Sequence, residues 1–209
     1  GALRVGSRNK YHEPLPAGLR PIDRPSSGMV VLMALMTLVP FVANWKSASR
    51  SGQSFTRAWA ADVLSSIEPN GIIITYGDND SFPLWHAQAV EGLRPDVTVA
   101  LSTYLGMDWY ARQLNKRGSP LWKLTDAELD TIPPYMESKQ PMAFTHGAIN
   151  ATIPPGYITR DQLLILRAIK DSFPTRPVYF TSGPLPQSIG LGPYVKYVGV
   201  IQKLEAQPI

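Results

Sequence analysis

The sequence predicts an α/β protein, with one transmembrane helix followed by a small Rossmann-like α/β domain that has a mostly parallel sheet. Residues 28–45 form an uncharged apolar run, GMVVLMALMTLVPFVANW. Beyond this run, short β-branched segments such as Ile72–Thr75 alternate with helical patterns, which is typical of strand–helix–strand units and a parallel sheet. We therefore divide the chain into an irregular basic arm over 1–27, a membrane helix over 28–45 and an α/β domain over 46–209.

The first 27 residues carry five basic side chains and four prolines, but only Glu13 and Asp23 as acids. The prolines exclude a long helix, so we expect an irregular arm. The whole chain has a net charge of +4, but its basic residues are scattered, whereas nucleic-acid binding favours a dense basic face. No nucleic-acid partner is therefore expected. The chain has no cysteine, which excludes disulfides and thiolate metal sites. Gly1 in place of Met indicates either a processed terminus or a piece of a longer chain.

The apolar run is long enough to cross a membrane. Eighteen helical residues span about 27 Å, close to the roughly 30 Å of a hydrocarbon core. A signal peptide and a buried helix of a soluble domain are the alternatives. The mild excess of basic residues before the run predicts an N-terminus in the cytoplasm and a main domain outside it. The side chains expected to anchor the helix are Met29, Leu32, Leu35, Leu38, Phe41 and Trp45.

The first half of the domain predicts a strand–helix–strand unit. Phe55–Ile67 repeats large apolar residues every four positions and predicts a helix. The strands Ile72–Thr75 and Val97–Leu101 then flank a helix from about Pro83 to Glu91, which predicts a parallel pair. A further helical pattern covers residues 107–114.

The second half of the domain has a weaker pattern. Residues 119–158 contain six prolines and predict a long loop, broken by a short capped helix at Asp126–Asp130. Asp161–Phe173 predicts an amphipathic helix with Thr159 as its N-cap. Val178–Thr181 predicts a third strand, and Val195–Leu204 contains a last strand.

Polar residues follow the Ile72–Thr75 strand, where ligands tend to bind in an open α/β sheet. Asp78, Asn79 and Asp80, with Asp108, offer oxygen ligands for a hard cation such as Ca²⁺. The same residue types commonly form turns and helix caps. His86 is either an acid or base or a hydrogen-bonded structural histidine. The candidate ligand-binding residues are therefore Asp78, Asn79, Asp80, His86 and Asp108.

We expect no catalytic residue, no metal and no cofactor, because the chain has no HExxH or GxSxG motif. Four aromatic residues lie near the acidic segment in the sequence. Aromatic faces suit contacts with sugars or with other proteins, and core packing is the alternative. These residues are Trp85, Tyr104, Trp109 and Tyr110.

Two pairs of segments carry a family resemblance. The segments GDNDSFPLWHAQAVEGLRPDV and MDWYARQL, with DQLLILRAIKDSFPTRPVYF and GLGPYVKYVGVIQKL, resemble the DUF2723 family of bacterial membrane proteins, which are glycosyltransferase-like proteins of the GT-C type. The resemblance covers about residues 45–205. It implies that the chain is the last membrane span and extracytoplasmic tail of such a protein, without the many-helix domain that carries sugar transfer.

These observations predict a non-catalytic, single-span structural or assembly subunit of a larger bacterial membrane complex. The particular complex that we expect is a photosynthetic reaction-centre–light-harvesting complex. The expected partners are other membrane protein subunits and the lipid bilayer. The alternatives are a C-terminal fragment of a DUF2723 glycosyltransferase that contributes acceptor or sugar binding, and a carbohydrate-binding module.

Overall fold

The computed structural model of the chain describes residues 25–116, 118, 120–181 and 183–209. Most of the predicted basic arm, residues 1–24, therefore lies outside the described residues. The chain divides into two compact units, Gly1–Gly52 and Gln53–Ile209. Each unit is described by itself.

The described part of the first unit is dominated by α1, Ser27–Ala48, which is slightly longer than the predicted helix. Ser26 caps it, since its hydroxyl accepts a hydrogen bond from the Met29 N–H at 3.3 Å. No residue of α1 is buried. Its polar side chains bond within the helix: Thr37 donates to the Ala34 carbonyl at 2.7 Å, and Asn44 donates to the Pro40 carbonyl at 2.8 Å. The helix is long and apolar enough to cross a membrane.

The second unit mixes helices and strands along the chain. Its helices are α2 (Phe55–Ser65), α3 (Asp78–Ala89), α4 (Ser102–Leu105), α5 (Asp108–Asn115), α6 (Asp126–Asp130), α7 (Arg160–Ser172) and α8 (Leu185–Ser188), and a 3₁₀ turn covers Gly192–Tyr194. Its strands are β1 (Ile72–Thr75), β2 (Thr98–Leu101), β3 (Tyr135–Ser138), β4 (Met142–His146), β5 (Ile149–Ile153), β6 (Gly156–Thr159), β7 (Val178–Thr181), β8 (Val195–Val198) and β9 (Ile201–Leu204).

The central sheet has five strands in the order β2-β1-β7-β9-β8. β1 pairs parallel with both β2 and β7, whereas β9 pairs antiparallel with β7 and β8. The fold is therefore mixed α/β with a partly parallel sheet. The last strand predicted within Val195–Leu204 was confirmed as β9. The same range also contains β8, because Gly199, at φ +60°, turns the chain and makes a β8–β9 hairpin.

Helices cover both faces of this sheet, which explains why β1, β2 and β7 are buried throughout. On one face, Ile73, Val99 and Tyr179 pack with α2 and α3. On the other, Ile72 and Phe180 join a core built from α4, α5, α7 and the smaller strands. Alternate residues of one strand thus belong to different cores, as the two-residue period of a strand requires.

The long loop predicted over 119–158 was wrong. This segment forms two small antiparallel sheets, β3 with β6 and β4 with β5. Its prolines lie between the strands, where they cost no ladder hydrogen bonds. β5 alternates buried and exposed residues. The sequence contains this strand pattern, but the many prolines around it led to the prediction of a loop. The predicted helix Asp126–Asp130 was confirmed, and Thr125 and Glu128 form its capping box.

Arg94 holds the amino-terminal edge of the sheet together. Its guanidinium donates to the carbonyls of Leu64 and Ile67, both at 2.7 Å, at the end of α2. The same group pairs with Asp96 through two bonds of 2.8 and 2.9 Å, and holds the pKa of that carboxyl far below its ordinary value. The end of α2 and the start of β2 are thereby fixed to each other.

Candidate functional site

The candidate site lies at the carboxyl edge of the parallel strands. β2 and β7 lie on opposite sides of β1, so the chain changes direction across the sheet between β1 and β7. In open α/β sheets, ligands bind in the crevice at such a switch point. Here the crevice is formed by the residues that follow β1, which include Asp78–Asp80, and by the end of β7 at Thr181.

Helix α3 begins at Asp78, earlier than the predicted start near Pro83. The segment predicted as an acidic turn is therefore the first helical turn. Negative side chains are favourable there because the helix dipole is positive at its N-terminus. Asp78 and Asn79 are exposed, whereas Asp80 is half-buried.

Buried hydroxyls bind the strand to the helix beneath this turn. Ser81 donates to the Gly77 carbonyl at 2.7 Å, and its oxygen lies 2.5 Å from the Thr75 hydroxyl. Thr75 and Ser81 are fully buried. Each hydroxyl thus has a partner inside the protein, which is the usual condition for burying polar groups.

Asp80 connects α3 to β7 across the crevice. Its carboxylate accepts a hydrogen bond from the Thr181 hydroxyl at 2.8 Å. The Thr181 oxygen in turn accepts one from the Tyr76 backbone N–H at 3.2 Å. The buried Thr181 at the end of β7 therefore joins the segment after β1 to helix α3.

The other two candidate residues lie elsewhere. His86 is largely exposed near the end of α3, with Nδ1 3.9 Å from a Glu91 carboxylate oxygen. Asp108 begins α5 and forms an ion pair with Arg160 of α7, whose guanidinium also donates to the Leu129 carbonyl at 2.9 Å. Asp108 is thus part of a link between α5, α6 and α7. The five candidates do not form one cluster.

The described residues contain no group of three or more His, Asp or Glu side chains that could hold a metal ion. A groove of about 260 Å³ lies beside Asn79 and Asp80, and its wall is partly apolar through Phe55, Trp59 and Val200. The Asp80 carboxylate is bonded to Thr181 beside this groove, whereas Asp78 and Asn79 are exposed.

A second groove, of about 380 Å³, contains the four aromatic residues noted in the sequence. Their rings contact one another, with centroids 5.5 to 6.2 Å apart. Tyr110 is buried, and its hydroxyl accepts a bond from the Leu101 N–H at 3.0 Å, so it serves the core. Trp109 is 56% exposed. Gln88 and Gln113 add amides to the wall. The sequence indicated these aromatics, but their division between core and surface depends on the packing.

The class of protein defined by these features is a mixed α/β domain with one apolar helix near its N-terminus. In a comparison with protein families, residues 56–120 match TMEM260-associated domain 2. The matched segment runs from α2 through α5 and contains the acidic first turn of α3 and the aromatic groove. No curated protein and no solved structure matches the chain.

This match corrects the predicted family. The resemblance to DUF2723 was wrong, because the matched family is a different one. The match and the helix α1 both fit a membrane protein, although α1 by itself fits a signal sequence as well as an anchor.

Proposed function

We propose that the chain is a non-catalytic, single-span structural subunit of a larger bacterial membrane protein complex. The observation that carries this proposal is α1, a 22-residue helix that is apolar enough to cross a membrane and has no buried residue. Such a helix needs a bilayer or other helices to cover it. The folded domain after it supplies a large surface for contacts with partner subunits.

Two features of α1 support neighbouring helices as well as lipid. Pro40 has no N–H to give to the Met36 carbonyl, and a carbonyl left free in hydrocarbon is costly unless a neighbouring group satisfies it. Asn44 places an amide near the same helix face. Polar side chains of this kind stabilise contacts between membrane helices.

A structural role is supported by the way the domain uses its polar residues. Thr75, Ser81, Asp80 and Thr181 bond to one another or to the backbone. In a nucleotide-binding sheet, the turn after the first strand holds a phosphate. Here Asp78 and Asp80 are in that turn, and their carboxylates would repel an anion. We interpret β2-β1-β7 as a Rossmann-like core that has kept its architecture without that ligand.

The proposed location is the bacterial inner membrane, with the N-terminus in the cytoplasm and the domain in the periplasm. Support comes from the five basic residues before α1, compared with Lys46 in its last turn and Arg50 and Arg57 after it. The proposed complex is a photosynthetic reaction-centre–light-harvesting complex. Because α1 contains no histidine, the chain would contribute there by contacts between subunits and not by ligating pigment.

The test is extraction of the tagged full chain from native membranes in a mild detergent, followed by size separation and mass spectrometry of the fractions. We expect the chain to co-migrate at fixed stoichiometry with other membrane subunits. Pigment-binding proteins among them would support the photosynthetic assignment. Migration as a single chain, free of other subunits, would refute the proposal.

A further inference from the structure

The carboxyl edge of the sheet carries large exposed apolar side chains beside the exposed Asp78 and Asn79. Six large side chains with 45 to 80% of their surface exposed occur there. Isolated exposed apolar residues are ordinary, but a group of them marks an interaction surface. We call this group the edge patch; it consists of Phe55, Tyr76, Phe82, Met107, Trp109 and Val200.

The topology places these residues at one edge. Tyr76 follows β1, and Phe82 lies in the first turns of α3. Met107 and Trp109 follow β2 by way of the short helix α4. Val200 is in the β8–β9 turn, and the register of Thr181 with Ile201 brings that turn to the end of β7. Phe55 and Val200 also line one groove.

The opposite edge has a different character. It carries two ion pairs, Arg94 with Asp96 and Lys203 with Glu68. Val90 is an exposed large apolar side chain at this edge. The exposed large apolar side chains are therefore more numerous at the carboxyl edge than at the opposite one.

The segment between α1 and the domain limits how far the edge patch can lie from the membrane. Six residues, Ser49–Ser54, connect the end of α1 to Phe55, the first residue of α2. Fully extended, they reach about 25 Å at most. A domain of this size is about 40 Å across, from the usual scaling of radius with length. The tether is thus shorter than the domain, and it joins the domain at the carboxyl edge.

We propose that the edge patch lies in the headgroup region of the lipid bilayer and holds the domain against the membrane surface. Exposed tryptophan and tyrosine are favoured at that depth, because they combine apolar rings with a polar group. The inference rests on the proposed function in that α1 must span the membrane.

The absence of cysteine allows a direct test with single spin labels in the full chain, reconstituted into nanodiscs with anionic lipid. Thr56→Cys and Ser65→Cys form a matched pair, since both are exposed hydroxyl residues near opposite ends of α2. They lie about 14 Å apart along the helix axis. Ala34→Cys, in the middle of α1, reports on the span. The readout is the accessibility of each label to oxygen, which concentrates in lipid, relative to a water-soluble nickel chelate.

We expect a high oxygen-to-nickel ratio at positions 34 and 56 and a low ratio at 65. A low ratio at both 56 and 65, with a high ratio at 34, would overturn the inference and leave the proposed function intact. A low ratio at 34 would instead refute the span on which both depend. Exclusion of both reagents from position 56 would show that protein, and not lipid, covers the patch, and would also overturn the inference.

A paired substitution separates the patch from general folding effects. Replacing Phe55 and Phe82 by serine is expected to lower the oxygen-to-nickel ratio at position 56 severalfold. Replacing Tyr135 and Tyr157 by serine is the control, because these tyrosines are equally exposed but lie on the small β3–β6 sheet. The inference fails if the two pairs change the ratio equally.

Discussion

Replacing Thr181 by valine should weaken the junction between β1, α3 and β7. Valine has the shape of threonine but no hydroxyl, so Asp80 loses its donor at 2.8 Å and the Tyr76 N–H loses its acceptor at 3.2 Å. A hydrogen bond to a charged group contributes about 1.5–3 kcal/mol and a neutral one about 1 kcal/mol. Because Asp80 and Tyr76 are partly exposed, water recovers some of this. We expect unfolding free energy to fall by about 2–3 kcal/mol, and the melting temperature by about 4–12 °C.

The assay is urea unfolding of the full chain in detergent micelles, followed by tryptophan fluorescence. Thr181→Ser is the matched control: it keeps the hydroxyl and loses one buried methyl, at a cost of about 1 kcal/mol. A cycle with Asp80→Ala should show that the two residues are coupled by about 1–2 kcal/mol. The predicted role of the Thr181 hydroxyl is refuted if Thr181→Val lowers the unfolding free energy no more than Thr181→Ser does. It is also refuted if the effects of Asp80→Ala and Thr181→Val on the unfolding free energy are additive.

Three further predictions test other parts of the chain. Leu35→Arg costs about 2.5–3.5 kcal/mol at the centre of a span and should release the chain from membranes during alkaline extraction, whereas Leu35→Ile should not. Arg94 lowers the pKa of Asp96, so this pair stabilises the fold at neutral pH, and the stabilisation decreases as pH falls below about 4. Asp96→Asn should remove that part of the pH dependence of the unfolding free energy. An unchanged pH dependence in acid would contradict this prediction. Gly190 has φ +76°, and a Cβ added there would clash with the Thr152 carbonyl oxygen of β5. Gly199 has φ +60°, but a Cβ added there would meet open space. Gly190→Ala should therefore lower the melting temperature more than Gly199→Ala.

The sequence predicted the local elements better than their assembly. Ile72–Thr75 and Val178–Thr181 were confirmed as strands, because continuous β-branched and aromatic runs require burial on both faces. The direction of the last strands could not be predicted, since parallel and antiparallel pairing leave similar patterns in such short segments. The sheet is partly parallel because β9 returns antiparallel beside β7.

At the candidate site, the sequence indicated the acidic segment but not the partner of Asp80. Thr181 is 101 residues away in the chain, and only the β1–β7 pairing brings it to the crevice. The link between Asp108 and Arg160, across 52 residues, was equally invisible. The Asp108–Arg160 contact depends on the arrangement of α5, α6 and α7, which local patterns in the sequence do not specify.

The most direct test of the central claim is site-specific photo-crosslinking from α1 in native membranes. A photoreactive amino acid at Met33, in the apolar part of α1, reports whether lipid or protein surrounds the helix. If the chain is a subunit of a larger complex, we expect crosslinked products of discrete mass that contain the chain and defined membrane subunits. The same amino acid is also placed in turn at Ala34, Leu35 and Met36, which complete one helical turn with Met33. Crosslinks to lipid alone at all four positions would show that the helix is only an anchor and would contradict the assignment as a subunit of a larger complex.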